Sequence, residues 1–202
     1  MFYLRDLPKY DAIRQRATKH PELDPRALES FLVLLRVGSD TLDALEAYLV
    51  KQGTSQGKFT VLMLLNRDPD VGISPSDLAD RSGVTRATIT GLLDGLSREK
   101  LVVREDDTGD RRKAVVRLTS RGRKLLEGML PEYYRQVSDL MGGLTDAEKV
   151  TLIDLLVKVN TRLSSLWTAA GKAGGVKRAA KDIAATPTDV SAVPKDKQTG
   201  TF

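Results

Sequence analysis

Residues 74–118 of the chain read SPSDLADRSGVTRATITGLLDGLSREKLVVREDDTGDRRKAVVRL. The first half of this stretch predicts two short helices joined by a tight turn that contains Gly83. Ser74 has the chemistry of an N-cap with Pro75 in the first turn behind it, and Thr85 can cap the second helix. The second helix has apolar side chains at helical spacing, namely Ile89, Leu92, Leu93 and Leu96. Two short helices around a glycine-containing turn form a helix-turn-helix.

The face of the second helix opposite its apolar stripe carries small, hydroxylic or charged residues. They are Arg86, Ala87, Thr88, Thr90, Gly91, Asp94 and Arg98. A helix that enters a major groove only about 12 Å wide benefits from small side chains. Its positive N-terminal end favours phosphate. We therefore name Thr85, Arg86, Thr88 and Thr90 as candidate DNA-binding residues, although an ordinary amphipathic surface helix explains each of them equally well when taken singly.

The second half of the stretch predicts a hairpin. Residues 101–104 and 114–118 have the β-branched composition of strands, and residues 105–110 between them are turn-forming. A basic cluster, Arg111 to Lys113, follows the turn, so the hairpin has the character of the wing of a winged helix. The acidic run lacks the residue pattern of a calcium-binding loop, and we predict no metal site. We expect these acids to shape the turn and Asp110 to pair with a nearby arginine.

The basic residues are concentrated in the middle of the chain. The whole protein has a formal net charge of +5, whereas residues 81–124 carry 12 basic and 6 acidic side chains. A local basic excess suits a polyanion-binding surface, because each cation that neutralises a phosphate releases a counterion. A solvated charged face explains the basic excess equally well. The prediction of polyanion binding therefore depends also on the helix-turn-helix and on the hairpin that follows it.

Residues 110–119, DRRKAVVRLT, resemble the wing signature of the MarR-type winged-helix transcriptional regulators. That signature is an Asp, an Arg two residues later, and an apolar strand ending in Leu-Thr. Residues 85–90 are similar to the start of that family's recognition helix, and the resemblance spans roughly residues 25–165. It implies a homodimeric repressor or activator whose Arg112 enters the minor groove and whose Asp110 braces it. Many relatives carry a larger residue where this chain has Gly91, which leaves more of the recognition to the wing and to DNA shape.

Long helices are predicted on both sides of this stretch. Asp24-Pro25 starts one that ends near Gly53, Thr119 caps another that continues past Pro131, and residues 145–148 form a capping box for the last. A further helix is expected before Pro25. The predicted fold is mainly α with a small β-hairpin, a winged helix-turn-helix domain plus an intertwined helical dimerisation region. The predicted divisions are dimerisation helices at 1–53, the DNA-binding domain at 54–124, dimerisation helices at 125–170, and a disordered basic tail at 171–202.

Composition argues against several classes of protein. The chain has no cysteine and a single histidine, His20, so it lacks disulfides, thiolate zinc sites and a histidine-rich metal centre. No apolar run is long enough to cross a membrane, and we expect a cytoplasmic protein without a membrane partner. A small hydrolase using the acidic cluster is the rival enzyme hypothesis. No phosphate-binding glycine loop or serine-hydrolase motif supports it, so we predict a protein that is not an enzyme and needs no cofactor.

The predicted function is sequence-specific binding of pseudo-palindromic double-stranded DNA by a homodimer that regulates transcription, most simply as a repressor. The alternative is an architectural winged-helix protein of low sequence specificity. The resemblance also implies release of DNA by a small aromatic or phenolic acid bound between the winged domain and the dimer helices. Candidate pocket residues are Tyr48, Phe59, Arg67, Tyr133 and Tyr134, although residues of these types at such spacings are also common in a core or at its rim.

Overall fold

Within residues 6–69, 71–106 and 114–169, which the computed structural model describes, seven helices and one two-stranded hairpin follow one another. The elements are α1 (Tyr10–Ala17), α2 (Pro25–Lys51), α3 (Gln56–Asn66), α4 (Pro75–Ser82), α5 (Arg86–Arg98), β1 (Val102–Asp106), β2 (Ala114–Leu118), α6 (Ser120–Met141) and α7 (Asp146–Ala169). This order confirms the predicted mainly helical fold with a small hairpin. In the part of the chain that the structure describes, no helix has the length and apolar character needed to span a membrane.

The chain divides into two compact units, Met1–Phe59 and Thr60–Phe202. In the first unit α1 packs against α2 and buries Ile13, which is only 2% exposed. The guanidinium carbon of Arg26 lies 3.8 Å from the centroid of the Tyr10 ring. This cation–π contact joins the start of α2 to the start of α1. Helix α1 is thus the helix that the sequence predicts before Pro25.

Helix α2 begins where its capping sequence predicts. The Asp24 carboxylate accepts hydrogen bonds from the backbone N–H groups of Arg26, at 2.9 Å, and Ala27, at 3.1 Å. Pro25 occupies the first turn, where its missing N–H costs nothing. Six apolar side chains of α2 remain 37 to 62% exposed, namely Phe31, Val33, Leu34, Val37, Leu42 and Val50. The helix therefore keeps apolar surface that its own unit does not cover.

The core of the second unit forms around the helix-turn-helix. Helix α4 packs against α5, α5 packs against β1, and β2 contacts both α4 and α6. Side chains that are no more than 1% exposed in this unit are Val61, Leu62, Leu65, Leu78, Ile89, Leu93, Leu96, Val116 and Leu126. The apolar residues of α4, α5 and the hairpin thus bury one another, and the opposite face of α5 stays in solvent.

The first strand of the hairpin is longer than predicted. We expected Glu105 and Asp106 to form part of the turn, but both belong to β1, where Asp106 lies opposite Ala114. Glu105 is opposite Val115 and makes a 3.2 Å ion pair with Arg117 of β2. Cross-strand pairing of this kind overrides the low strand propensity of acidic residues.

A third segment joins the edge of the hairpin at β2. The N–H of Ile73 donates to the carbonyl of Val116 at 3.1 Å, and the N–H of Val116 donates to the carbonyl of Ile73 at 2.9 Å. A Cβ on Gly72 would lie 2.7 Å from Val115 side-chain atoms, closer than real Cβ contacts. Glycine at this position therefore permits the approach that ties the entrance of α4 to the hairpin.

Helices α6 and α7 also start at the predicted caps. Thr119 accepts from the N–H of Gly122 at 3.0 Å, and α6 continues past Pro131 as expected. Thr145 and Glu148 form the predicted capping box before α7. Six apolar side chains of α7 remain 40 to 54% exposed, namely Ile153, Leu155, Leu156, Val159, Leu163 and Leu166. This surface is too apolar to be an ordinary solvent face.

Candidate nucleic-acid interface

The helix-turn-helix is held by short-range hydrogen bonds that its sequence specifies. Ser74 accepts from the N–H of Asp77 at 3.1 Å at the start of α4. Gly83 follows α4 in the left-handed conformation, with φ of 69°, which glycine adopts without steric cost. Thr85 then accepts from the N–H of Thr88 at 3.1 Å and starts α5. The turn and both caps thereby fix the direction in which α5 leaves the body of the domain.

Helix α5 has one buried face and one exposed face. Ile89, Leu93 and Leu96 are fully buried. The residues predicted to face outward are all exposed, namely Arg86, Ala87, Thr88, Thr90, Gly91, Asp94 and Arg98. Nothing lies within 4 Å of a Cβ placed on Gly91. The exposed face is therefore shallow, as a helix that enters a groove requires.

All three candidate threonines already form hydrogen bonds within α5 or with its N-cap. The hydroxyl of Thr90 donates to the carbonyl of Arg86 at 2.9 Å. The hydroxyl oxygens of Thr85 and Thr88 are 2.9 Å apart. Because the proton of Thr90 is engaged, its oxygen has free lone pairs and presents an acceptor to an approaching group. Arg86, exposed at the positive end of the helix, adds a cation suited to phosphate.

The hairpin lies against α5 and is joined to it by an ion pair that the sequence alone does not indicate. Nη2 of Arg104, on β1, donates to Oδ1 of Asp94, on α5, at 2.7 Å. The sequence predicts Arg104 in a strand and Asp94 on the outer face of the helix, but their spacing does not indicate that they meet. The contact depends on how α5 packs on β1, which a single sequence does not show.

The base of the hairpin is closed by residues that precede and begin α6. The N–H of Thr119 donates to the carbonyl of Leu101 at 3.1 Å, and its hydroxyl donates to the carbonyl of Lys100 at 2.8 Å. A Cβ on Gly122 would lie 2.2 Å from the Leu101 carbonyl oxygen. Glycine therefore lets α6 lie against the segment that joins α5 to β1. We call this closed base of the hairpin, formed by Lys100, Leu101, Thr119 and Gly122, the hairpin root.

The remaining predicted DNA-binding residues are those of the hairpin tip. Asp110, Arg111, Arg112 and Lys113 lie outside the described residues. The strands that lead to and from them, β1 and β2, run side by side in antiparallel register up to Asp106 and Ala114. The chain therefore leaves and re-enters the described structure at two paired positions, Asp106 and Ala114.

The five candidate pocket residues are distributed over both units. Tyr48 and Phe59 belong to the first unit, and each is 5% exposed. In the second unit Tyr133 and Tyr134 are neighbours on α6, with ring centroids 5.6 Å apart and Tyr134 53% exposed. Arg67 is exposed just after α3. Buried Tyr48 and Phe59 fit the alternative that some of these residues serve a core.

Two observations concern ionisable groups away from α5. Among the residues that the structure describes, no three His, Asp or Glu side chains cluster so that they could hold a metal ion. The pKa of Glu148 lies below its ordinary value because its carboxylate accepts from the backbone N–H and the hydroxyl of Thr145, each at 2.8 Å. This carboxylate is part of the capping box of α7, so the hydrogen bonds of the cap account for its lowered pKa.

Comparison with known proteins identifies relatives along most of the chain. The model of the MarR family matches residues 52–113. Over 161 residues the chain is 41% identical to the HTH-type transcriptional repressor YetL of Bacillus subtilis (strain 168), a match covering 80% of this chain and 96% of YetL.

Solved structures with a similar fold include two DNA-binding regulators. BpsR of Bordetella bronchiseptica, whose DNA binding is regulated by 6-hydroxynicotinic acid, is 28% identical, with a TM-score of 0.56 over 65% of this chain and 98% of BpsR. MepR of S. aureus, solved in complex with DNA, has a TM-score of 0.59 over 65% of this chain and 94% of MepR. At 22% identity, MepR supports the winged-helix fold alone.

Proposed function

Because the chain belongs to the MarR family of DNA-binding transcriptional regulators, we propose that it represses transcription as a homodimer bound to a pseudo-palindromic duplex. The observation that carries this proposal is the exposed face of α5, a shallow polar surface on a helix that packs against the hairpin. Its relatives are regulators and not enzymes, which points to a protein without catalytic activity. Two recognition helices would occupy successive major grooves about one helical turn apart.

We assign the DNA contacts to two parts of each subunit. Arg86, Thr88 and Thr90 on α5 would contact base edges or phosphates in the major groove, with Thr85 holding the helix start in place. The support is their exposure together with the capped, positive end of the helix. Arg111, Arg112 and Lys113 would supply electrostatic affinity, with Arg112 in the minor groove and Asp110 bracing it.

The dimer is proposed from the apolar surface that each unit leaves in solvent. Six apolar side chains of α2 and six of α7 are between 37 and 62% exposed. Large apolar side chains exposed in such number on two helices are typical of a protein interface. We propose that residues 1–53 and 125–170 form the dimerisation region, residues 54–124 the DNA-binding domain, and residues 171–202 a basic tail.

A small aromatic or phenolic acid is the proposed effector. Support comes from BpsR, whose DNA binding responds to 6-hydroxynicotinic acid. The candidate pocket residues are Tyr48, Phe59, Arg67, Tyr133 and Tyr134. A thermal-shift screen of aromatic acids tests this part of the proposal, because a ligand that binds only the folded state raises the midpoint of unfolding. A screen with no shift, run alongside a DNA-binding assay that no acid affects, would remove the effector from the account.

The salt dependence of DNA binding tests the main proposal. A dimer that neutralises six to ten phosphates should show a slope of log K against log salt of roughly −5 to −9. Binding would be measured by fluorescence anisotropy with two labelled duplexes. The first has a random sequence, and the second is a fragment recovered from a genomic-fragment selection. A slope near zero would refute DNA as the ligand. A selected fragment should bind about a thousandfold more tightly than random duplex. Equal affinities would favour the architectural alternative.

A further inference from the structure

Asp94 is the only carboxylate of α5, and it lies on the face that would meet DNA. Its side chain is 52% exposed, so its charge is not hidden by burial. A carboxylate on a surface that approaches phosphates is repelled by them, and the repulsion opposes binding of any sequence. Unless its charge is neutralised, the Asp94 carboxylate therefore lowers the affinity of α5 for DNA.

Arg104 supplies the neutralising charge from the neighbouring strand. Its guanidinium donates to the Asp94 carboxylate at 2.7 Å, while its side chain is 43% exposed. In the hairpin register Arg104 lies directly opposite Val116, which is fully buried, so both side chains leave the hairpin on the same side. The stem of Arg104 thus starts on the inner side of the hairpin, and its charged end reaches α5.

Resting on the proposed DNA-binding function, we propose that Arg104 is a positioning residue that keeps Asp94 from repelling the DNA backbone. It acts through Asp94 and does not itself hold a phosphate. The partner of Arg104 is Asp94 on the recognition helix, whereas the cations of the hairpin tip are proposed to contribute to DNA binding through their own charge. Arg104 is thereby an affinity determinant outside the set of contacts assigned above.

A double-mutant cycle tests this role with the full chain and a labelled 24-base-pair duplex of random sequence at low salt. The variants are Arg104→Met, Asp94→Asn and the two combined, with Met chosen because it retains the packing of the stem. Arg104→Met should weaken binding about two- to fivefold, the range expected for loss of an exposed charge pair. In the presence of Asp94→Asn the same change should weaken binding by less than about 1.5-fold, since no carboxylate remains to be neutralised. Arg104→Lys, which keeps the charge, should retain most of the parental affinity.

Arg86→Met provides the matched control, because Arg86 is proposed to contact DNA itself. It should weaken binding by the same factor with and without Asp94→Asn, and it should reduce the magnitude of the salt slope by about two, because the homodimer loses one cation from each subunit. Urea unfolding of each variant checks that the fold is kept. Equal losses from Arg104→Met in both backgrounds would make Arg104 a direct phosphate contact and overturn the inference. If the parent chain itself fails to bind the duplex, the proposed function falls, and the inference falls with it.

Discussion

Replacing Gly122 with alanine should destabilise the protein by about 2–4 kcal/mol. The new Cβ would lie 2.2 Å from the Leu101 carbonyl oxygen and 3.1 Å from the carbonyl carbon. These are backbone atoms that no side-chain rotation can move. Relief requires a shift of roughly 1 Å between the start of α6 and Leu101, since ordinary contact begins near 3.4 Å. Overpacking of this kind typically costs about 1–3 kcal/mol.

The same shift would break hydrogen bonds that close the root of the hairpin. Thr119 donates its N–H to Leu101 at 3.1 Å and its hydroxyl to Lys100 at 2.8 Å. Each lost bond costs about 1 kcal/mol. The better helix propensity of alanine returns about 1 kcal/mol, which leaves the stated net loss. Loosening this root would also affect the hairpin that the DNA-binding proposal requires.

Urea unfolding followed by circular dichroism measures the effect, with all variants at one protein concentration because association contributes to stability. Gly128→Ala is the matched control on the same helix. Nothing lies within 4 Å of a Cβ at Gly128, so this change should stabilise the protein by roughly 0.5–1 kcal/mol. If Gly122→Ala proved as stable as the parent, the close packing of α6 on Leu101 would be wrong as an account of the hairpin root.

Three further predictions concern stability and assembly. Lys100→Gly should stabilise the chain by about 0.5–1 kcal/mol in urea unfolding, because Lys100 has a positive φ of 58°, and a loss of stability would contradict this assignment. Glu148→Gln should reduce the dependence of stability on acidic pH, because the pKa of Glu148 is lowered on folding. The carboxylate's contribution to the free energy of unfolding is present above the unfolded-state pKa and is lost as pH falls through the folded-state pKa. Unfolding curves across acidic pH check it, and identical pH profiles for parent and variant would count against the capping role. Val159→Lys, at a site 50% exposed, should shift the chain toward monomer in sedimentation velocity, whereas an unchanged mass would exclude α7 from the interface.

Much of the helical architecture could be predicted because helix starts depend on local chemistry. Asp24, Ser74, Thr85 and Thr119 accept hydrogen bonds from the backbone of their own first turns, and each was expected to do so from residue type and spacing. The buried and exposed faces of α5 likewise followed from its 3.6-residue period. These features need no knowledge of the tertiary structure.

Features that depend on tertiary contacts were missed. The extension of β1 through Asp106 depends on its pairing with Ala114, whereas Asp and Glu favour turns when judged alone. The pair between Asp94 and Arg104 requires α5 to pack on β1 at one particular register. The reason for glycine at residue 122 lies in the position of the Leu101 carbonyl, which is distant in sequence.

Counting the chains bound to one duplex tests whether the molecule acts as a symmetric pair of reading helices. Native mass spectrometry of the complex with a duplex recovered by genomic-fragment selection gives this number. The proposed homodimer predicts two chains on each duplex of about two helical turns, with no stable complex containing one chain. A complex of one chain with one duplex, or no complex at any protein concentration, would contradict the account.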